Sequence, residues 1–150
     1  MGWEEEELAI YEPKRKKAVE VKRLADARAQ LLNQQLPLQW KTLREIFIIR
    51  CESVNAKAKR TILRSIDPNV DRLDIRREND SKIEGRFDAS LKKVHFKSDA
   101  FAIEREYTLV ITTYNNVDAV AWFCTQTEVA EGPDEIVKFL LSSFLRAEQS

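Results

Sequence analysis

The sequence is poorest in the residues that catalytic and nucleotide-binding loops most often need. Its 150 residues include three glycines, one histidine and two cysteines. Gly2, Gly85 and Gly132 lie too far apart to build a G-x-G-x-x-G turn or a Walker-type phosphate cradle. His95 stands between Lys93 and Lys97 on the charged face of a predicted strand. A lone histidine lacks the partners that acid-base chemistry needs, so it reads as a surface residue. Cys51 and Cys124 are too few for a disulfide framework and too far apart for a zinc site. Both fall in apolar stretches, where a free thiol behaves as a small core residue. No G-x-S-x-G turn offers a serine nucleophile. No cofactor and no metal is expected.

Long apolar runs are also missing, and nothing approaches the roughly 18 residues that span a bilayer. The N-terminus is acidic where a secretory signal would be basic and then apolar. Glu6 occupies the place where a myristoylation pattern needs Ser or Thr. With so little cysteine, a reducing cytoplasm is the expected compartment. A membrane-surface role could draw on Trp3 and the nearby lysines, but Glu4 to Glu7 would be repelled by anionic headgroups.

What the sequence has in plenty is charge: 33% of residues are charged and 43% hydrophobic, the balance of a globular chain with a heavily solvated surface. Its length is that of one ordinary domain, so a single α+β domain over residues 1–150 is expected, opening with an acidic, flexible segment over 1–12. The net charge of zero hides a segregation. Residues 14–64 hold 14 bases and four acids, net +10, whereas the first 13 residues carry −5 and residues 65–150 carry −5.

From Pro13 to about Gln35 the residues are good helix formers, with Ala18, Val21, Ala25, Leu32 and Leu36 recurring at helical spacing beside Leu24 and Leu31. Pro37 breaks or kinks this pattern, so a second helix is expected to start there, with one kinked continuous helix as the alternative; Trp40, Leu43, Phe47, Cys51 and Val54 line one face, widened by Ile46 and Ile49. Ile66-Asp67-Pro68-Asn69 has the chemistry of a turn. Beyond it the apolar period shortens to two and predicts about five strands, around Leu73–Ile75, Ile83–Ala89, Val94–Phe96, Tyr107–Ile111 and Val117–Phe123. Their links are short, which demands an antiparallel meander. The last two strands carry Thr108, Val110 and Thr112, then Val120, Trp122 and Cys124, at the positions taken as outward. Such a second face is too apolar for plain water, so a helix or another subunit should cover it. Gly132-Pro133-Asp134-Glu135 opens a last helix with the apolar stripe Val137, Leu140, Leu141, Phe144 and Leu145, expected to lie on the sheet.

These features point to a non-catalytic protein that acts through protein-protein contacts, self-association into a homodimer included. The alternative is nucleic-acid binding through the basic helices of residues 14–64. Its phosphate contacts would be Lys14, Arg15, Lys16, Lys17, Lys22, Arg23, Lys57, Lys59, Arg60 and Arg64. No helix-turn-helix, zinc finger or RNA-binding signature accompanies those residues, and the sequence pI of about 6.6 is well below that of most such domains. A third reading, a metal-dependent nuclease built on Asp71 with Asp80-Ser81-Lys82, fails on geometry. A strand of roughly 20 Å separates Asp71 from the other two. Ile83-Glu84-Gly85-Arg86 resembles a protease recognition site, yet it continues into Phe87 with unbroken alternation. There Gly85 marks a bulge or a close backbone approach.

Overall fold

The structure is a computed structural model that describes residues 2–100 and 104–147. Its elements are α1 (Trp3–Ala58), β1 (Leu63–Asn69), β2 (Arg72–Arg77), β3 (Lys82–Asp88), β4 (Lys93–Ser98), β5 (Glu104–Tyr114), β6 (Val117–Cys124), β7 (Ala130–Glu131) and α2 (Pro133–Arg146). The chain forms two compact units, Met1–Gln34 and Gln35–Ser150. The α+β class, the long N-terminal helix, the antiparallel sheet and the C-terminal helix agree with the sequence. The numbers of helices and strands do not.

A single helix replaces the expected pair. It neither waits for Pro13 nor ends at Pro37. Glu4, Glu5 and Glu6 occupy its first turn, where carboxylates suit the positive end of the helix dipole, so the acidic segment belongs to the helix. A proline inside a helix withdraws one donor, here the ones that would serve the carbonyls of Ala9 and Asn33. Both residues are exposed, water takes the donor's place, and the helix continues.

Among the described residues, seven strands in sequence order form one sheet, each antiparallel to the next. Two of them were not expected. β1 includes the stretch read as a turn, and its register shifts between Ile66 and Asn69. As an edge strand with an irregularity, it can accept a residue without an N–H. The turn chemistry acts just beyond, where the Asp71 N–H donates to Asn69 Oδ1 at 2.9 Å. β7 is a two-residue strand opposite Trp122 and Phe123, too short to show a period. The β5–β6 turn fell where Asn115-Asn116 predicted, with both residues in the left-handed region that matches the twist of a tight hairpin.

One face of the sheet carries Leu63, Leu73, Ile75, Ile83, Val94, Phe96, Tyr107, Leu109, Trp122 and Cys124, all buried. The second-unit part of α1 and the whole of α2 cover it. Trp40 stacks on Phe87 with ring centres 5.4 Å apart, and Phe47 meets Phe96 at 5.5 Å. From α2, Ile136, Val137, Leu140, Leu141 and Phe144 are buried, while Leu145 is not. Trp122 and Cys124 overturn the expected phase of their strand. Tyr107 pairs with Cys124 and Leu109 with Trp122, and directly opposed residues share a face. Val117, Ala119, Ala121 and Phe123 therefore face outward. Both alternations of β6 are apolar, so period two fixed no phase, and only the register with β5 decides it.

Gly85 is a close approach and not a bulge, since β3 pairs regularly on both sides. It lies opposite Phe96, whose Cε1 would stand 2.8 Å from an added β-carbon. Where α1 ends, Lys59 takes a left-handed φ of 58° and Asn55 clamps the departing chain. The Asn55 side chain accepts from the Ile62 and Leu63 N–H groups at 2.8 and 2.9 Å and donates to the Leu63 carbonyl at 2.8 Å. At the far end of α2, the buried Arg77 guanidinium donates to the Phe144 and Ala147 carbonyls at 2.6 and 2.9 Å and lies over the Phe144 ring. A cation from β2 thus donates to carbonyls at the negative end of the α2 dipole.

Candidate functional site

The first unit is a helix in which none of residues 2–34 is buried. It nonetheless displays large apolar side chains: Trp3 is 72% exposed, Tyr11 58% and Val21 59%, with Leu8, Ile10, Val19 and Leu24 also exposed. Its charge is divided along its length. Residues 2–12 carry five glutamates and no base, and residues 13–34 carry seven bases and two acids, net +5.

Six of the ten candidate phosphate contacts lie on this helix, and all six are exposed. Lys14, Arg15, Lys16 and Lys17 are consecutive, and at about 100° per residue they ring the helix and form no single basic face. Two of the six are engaged within the helix: Arg15 pairs with Glu12 at 3.2 Å and Arg23 with Glu20. The other four candidates belong to the second unit. Lys57 sits in the last turn of α1, and Lys59 is the left-handed residue that stops it. Arg60 pairs with Glu78 at 3.3 Å, and Arg64 on β1 pairs with Asp80 at 3.7 Å. The structure brings each of these arginines to a carboxylate rather than to a common phosphate site.

The outer face of the sheet explains where much of the remaining charge goes. Glu84 on β3 is a hub, with Lys82 at 2.7 Å, Arg72 at 3.2 Å and Arg86 at 3.7 Å. Its carboxyl is held below the ordinary value chiefly by the Lys82 hydrogen bond, which outweighs the opposing desolvation, and the charges of Lys82, Arg72 and Arg86 each add a smaller push downward. Glu106 is likewise lowered, chiefly by the Lys93 ammonium 2.8 Å away. Asp74, buried, accepts two 3.0 Å hydrogen bonds from Arg72. Arg72–Glu84 and Lys93–Glu106 reach diagonally across neighbouring strands, an arrangement in which opposite charges stabilise a sheet, while Lys82–Glu84, Arg86–Glu84 and Arg72–Asp74 join alternate residues of one strand on the same face.

His95 lies in this network, its Nε2 3.1 Å from Glu104 Oε2. Glu104 can orient the imidazole, but among the described residues no hydrogen bond links the ring to a nucleophile. Asp71 precedes β2 and Asp80 follows it. Among the described residues, no group of three His, Cys, Asp or Glu side chains could hold a metal ion. Cys51 and Cys124 are both buried and free. Burial pushes the Cys51 thiol up to about 12, with Glu52 adding to the effect, so the nucleophilic thiolate is suppressed.

A groove of about 450 Å³ runs between the second-unit end of α1 and α2, where Arg50 meets Asp134 at 3.7 Å. Its floor includes Val137 and Leu141, already buried in the core. Among the described residues no helix is long and apolar enough to cross a membrane. No protein-family model, no curated protein and no solved structure matches the chain.

Sequence reasoning missed the apolar residues before Pro13. The signal was present: Trp3, Ile10, Lys17, Leu24 and Leu31 recur every seven residues, straight through the proline. It was hidden by starting the helix at Pro13.

Proposed function

We propose that the chain acts by binding, without catalysis, and that residues 3–34 are its binding element for a protein partner. One observation carries the reading: the part of α1 over residues 3–34 has no buried side chain and displays Trp3, Ile10, Tyr11, Val21 and Leu24 to solvent. A helix without packing draws little stability from propensity alone, so an apolar stripe of this kind is best accounted for by a surface that covers it. The reading includes a reducing cytoplasm, which suits two unpaired, buried thiols. The geometry gives less support to nucleic-acid binding, because the consecutive lysines ring the helix and Arg15, Arg23, Arg60 and Arg64 already face carboxylates.

The test compares the full chain with the variant Ile10→Glu/Val21→Glu. Association, measured by light scattering for self-contacts and by co-purification for other proteins, should occur with the wild type and disappear in the variant. If the wild type is a concentration-independent monomer and both proteins recover the same background, the proposal fails. A salt series on generic DNA and RNA tests the alternative, which requires affinity that falls steeply with salt.

A further inference from the structure

Resting on the binding role proposed above, we infer that the partner of the first unit is a second copy of this chain, docked helix to helix in the antiparallel sense. The exposed stripe follows a heptad. Trp3, Ile10, Lys17, Leu24 and Leu31 occupy one seam position, and Glu7, Lys14, Val21 and Arg28 the other. Such a seam fits another helix, and the charges on it select the orientation.

In a parallel pair, each seam residue meets its own copy. Glu7 would face Glu7, Lys14 Lys14, Lys17 Lys17 and Arg28 Arg28, four like-charge contacts in one short seam. Reversing one helix brings the acidic segment of each copy against the basic segment of the other. The −5 of residues 2–12 then meets residues 13–21, which carry four bases and one acid, net +3. In an antiparallel seam the two positions pair with each other, which allows a specific register. Trp3 faces Val21 of the second copy, Glu7 faces Lys17, and Ile10 lies under the aliphatic stem of Lys14, whose ammonium reaches water. The two-fold axis repeats all three contacts. Helix dipoles also oppose head to tail, a smaller effect of the same sign. No other seam register places Glu7 against a base.

The experiment uses the full chain. Sedimentation should give a concentration-dependent dimer, and Glu7→Lys or Lys17→Glu alone should weaken association about ten-fold, by turning two attractive contacts into repulsive ones. An equimolar mixture of the two variants should recover wild-type association, because each then supplies what the other lacks. Orientation is read by mild oxidation. Trp3→Cys/Val21→Cys should form a covalent dimer, and Trp3→Cys alone should not, since the two copies of residue 3 lie about 27 Å apart.

A covalent dimer from Trp3→Cys alone overturns the inference, and so does a dimer indifferent to both charge reversals. All four substituted residues are exposed, so an unchanged unfolding midpoint serves as the folding control. A monomeric wild type that still holds another protein through Ile10 and Val21 overturns the homodimer and leaves the binding role. A monomer that holds none overturns both.

Discussion

Replacing Arg77 by Met removes a buried, charge-assisted polar link between α2 and the sheet. The side chain is 1% exposed, and its guanidinium makes three hydrogen bonds: to the Phe144 carbonyl at 2.6 Å, the Ala147 carbonyl at 2.9 Å and Asn79 Oδ1 at 3.1 Å. Hydrogen bonds to a charged donor contribute about 1.5–3 kcal/mol each, but much of that offsets the cost of burying the cation. What the substitution leaves behind decides the magnitude. Methionine fills most of the volume, so the cavity term is small. The Phe144 carbonyl, however, loses its 2.6 Å bond to a buried cation, a cost of about 1–3 kcal/mol, and the helix end loses the cation that complemented its dipole, worth up to about 2 kcal/mol. A net loss of about 2–4 kcal/mol is expected, a large fraction of the stability of an ordinary domain.

Arg77→Lys keeps the charge but cannot reach the same three acceptors with one ammonium, and should fall between methionine and the wild type. Urea unfolding reads the loss as a lower midpoint at unchanged slope. Amide exchange reads its location, with protection falling first in the last turns of α2. If Arg77→Met unfolds within about 0.5 kcal/mol of the wild type, the threshold for an ordinary surface change, the capping argument is wrong.

Three further outcomes follow from the geometry. Gly85→Ala should cost about 1–3 kcal/mol by overpacking, because the new methyl would meet Phe96 at 2.8 Å and that ring is held by Phe47 and Tyr107; wild-type stability in thermal unfolding would refute this. Glu84 and Glu106 titrate below the ordinary carboxylate range when folded, so the stability they add is present above the unfolded value of about 4.3 and lost as pH falls through their depressed values. Unfolding midpoints should therefore drop on acidification into that range, and Lys93→Met should make the drop shallower; an identical pH slope in the variant would contradict the assignment of Lys93. Neither thiol should react with a disulfide reagent until the second unit opens, since both are buried and that of Cys51 titrates only near 12. A thiol that labels at once in native buffer would rule this out.

The sequence was most legible where pattern and environment coincide. Trp40, Leu43, Phe47 and Cys51 recur at helical spacing and all became core, because a helix on a sheet buries one stripe. Gly132-Pro133-Asp134-Glu135 opened α2 as its chemistry required, and Asn115-Asn116 made the turn between β5 and β6. It was least legible where one signal has two readings. Pro37 signals a break only if the abandoned carbonyl has no access to water. β1 carries a proline at an edge, where a strand tolerates it. As for the candidate site, the basic residues were located, but their ion pairs with Glu78 and Asp80 join segments 16 or more positions apart, beyond any local pattern.

The division has a physical cause. Local rules act over one or two turns, so the sequence alone determined the class of each element, the scarcity of catalytic groups and the separation of charge along the chain. Which face of β6 is buried, which carboxylate meets which arginine, and that Arg77 closes the end of α2 depend on how strands register and helices pack. Those contacts join residues far apart in sequence, and only the tertiary structure decided them. For the first unit, burial tells the same story in reverse. Its apolar stripe is written in the sequence, and only the structure shows that none of residues 2–34 is buried.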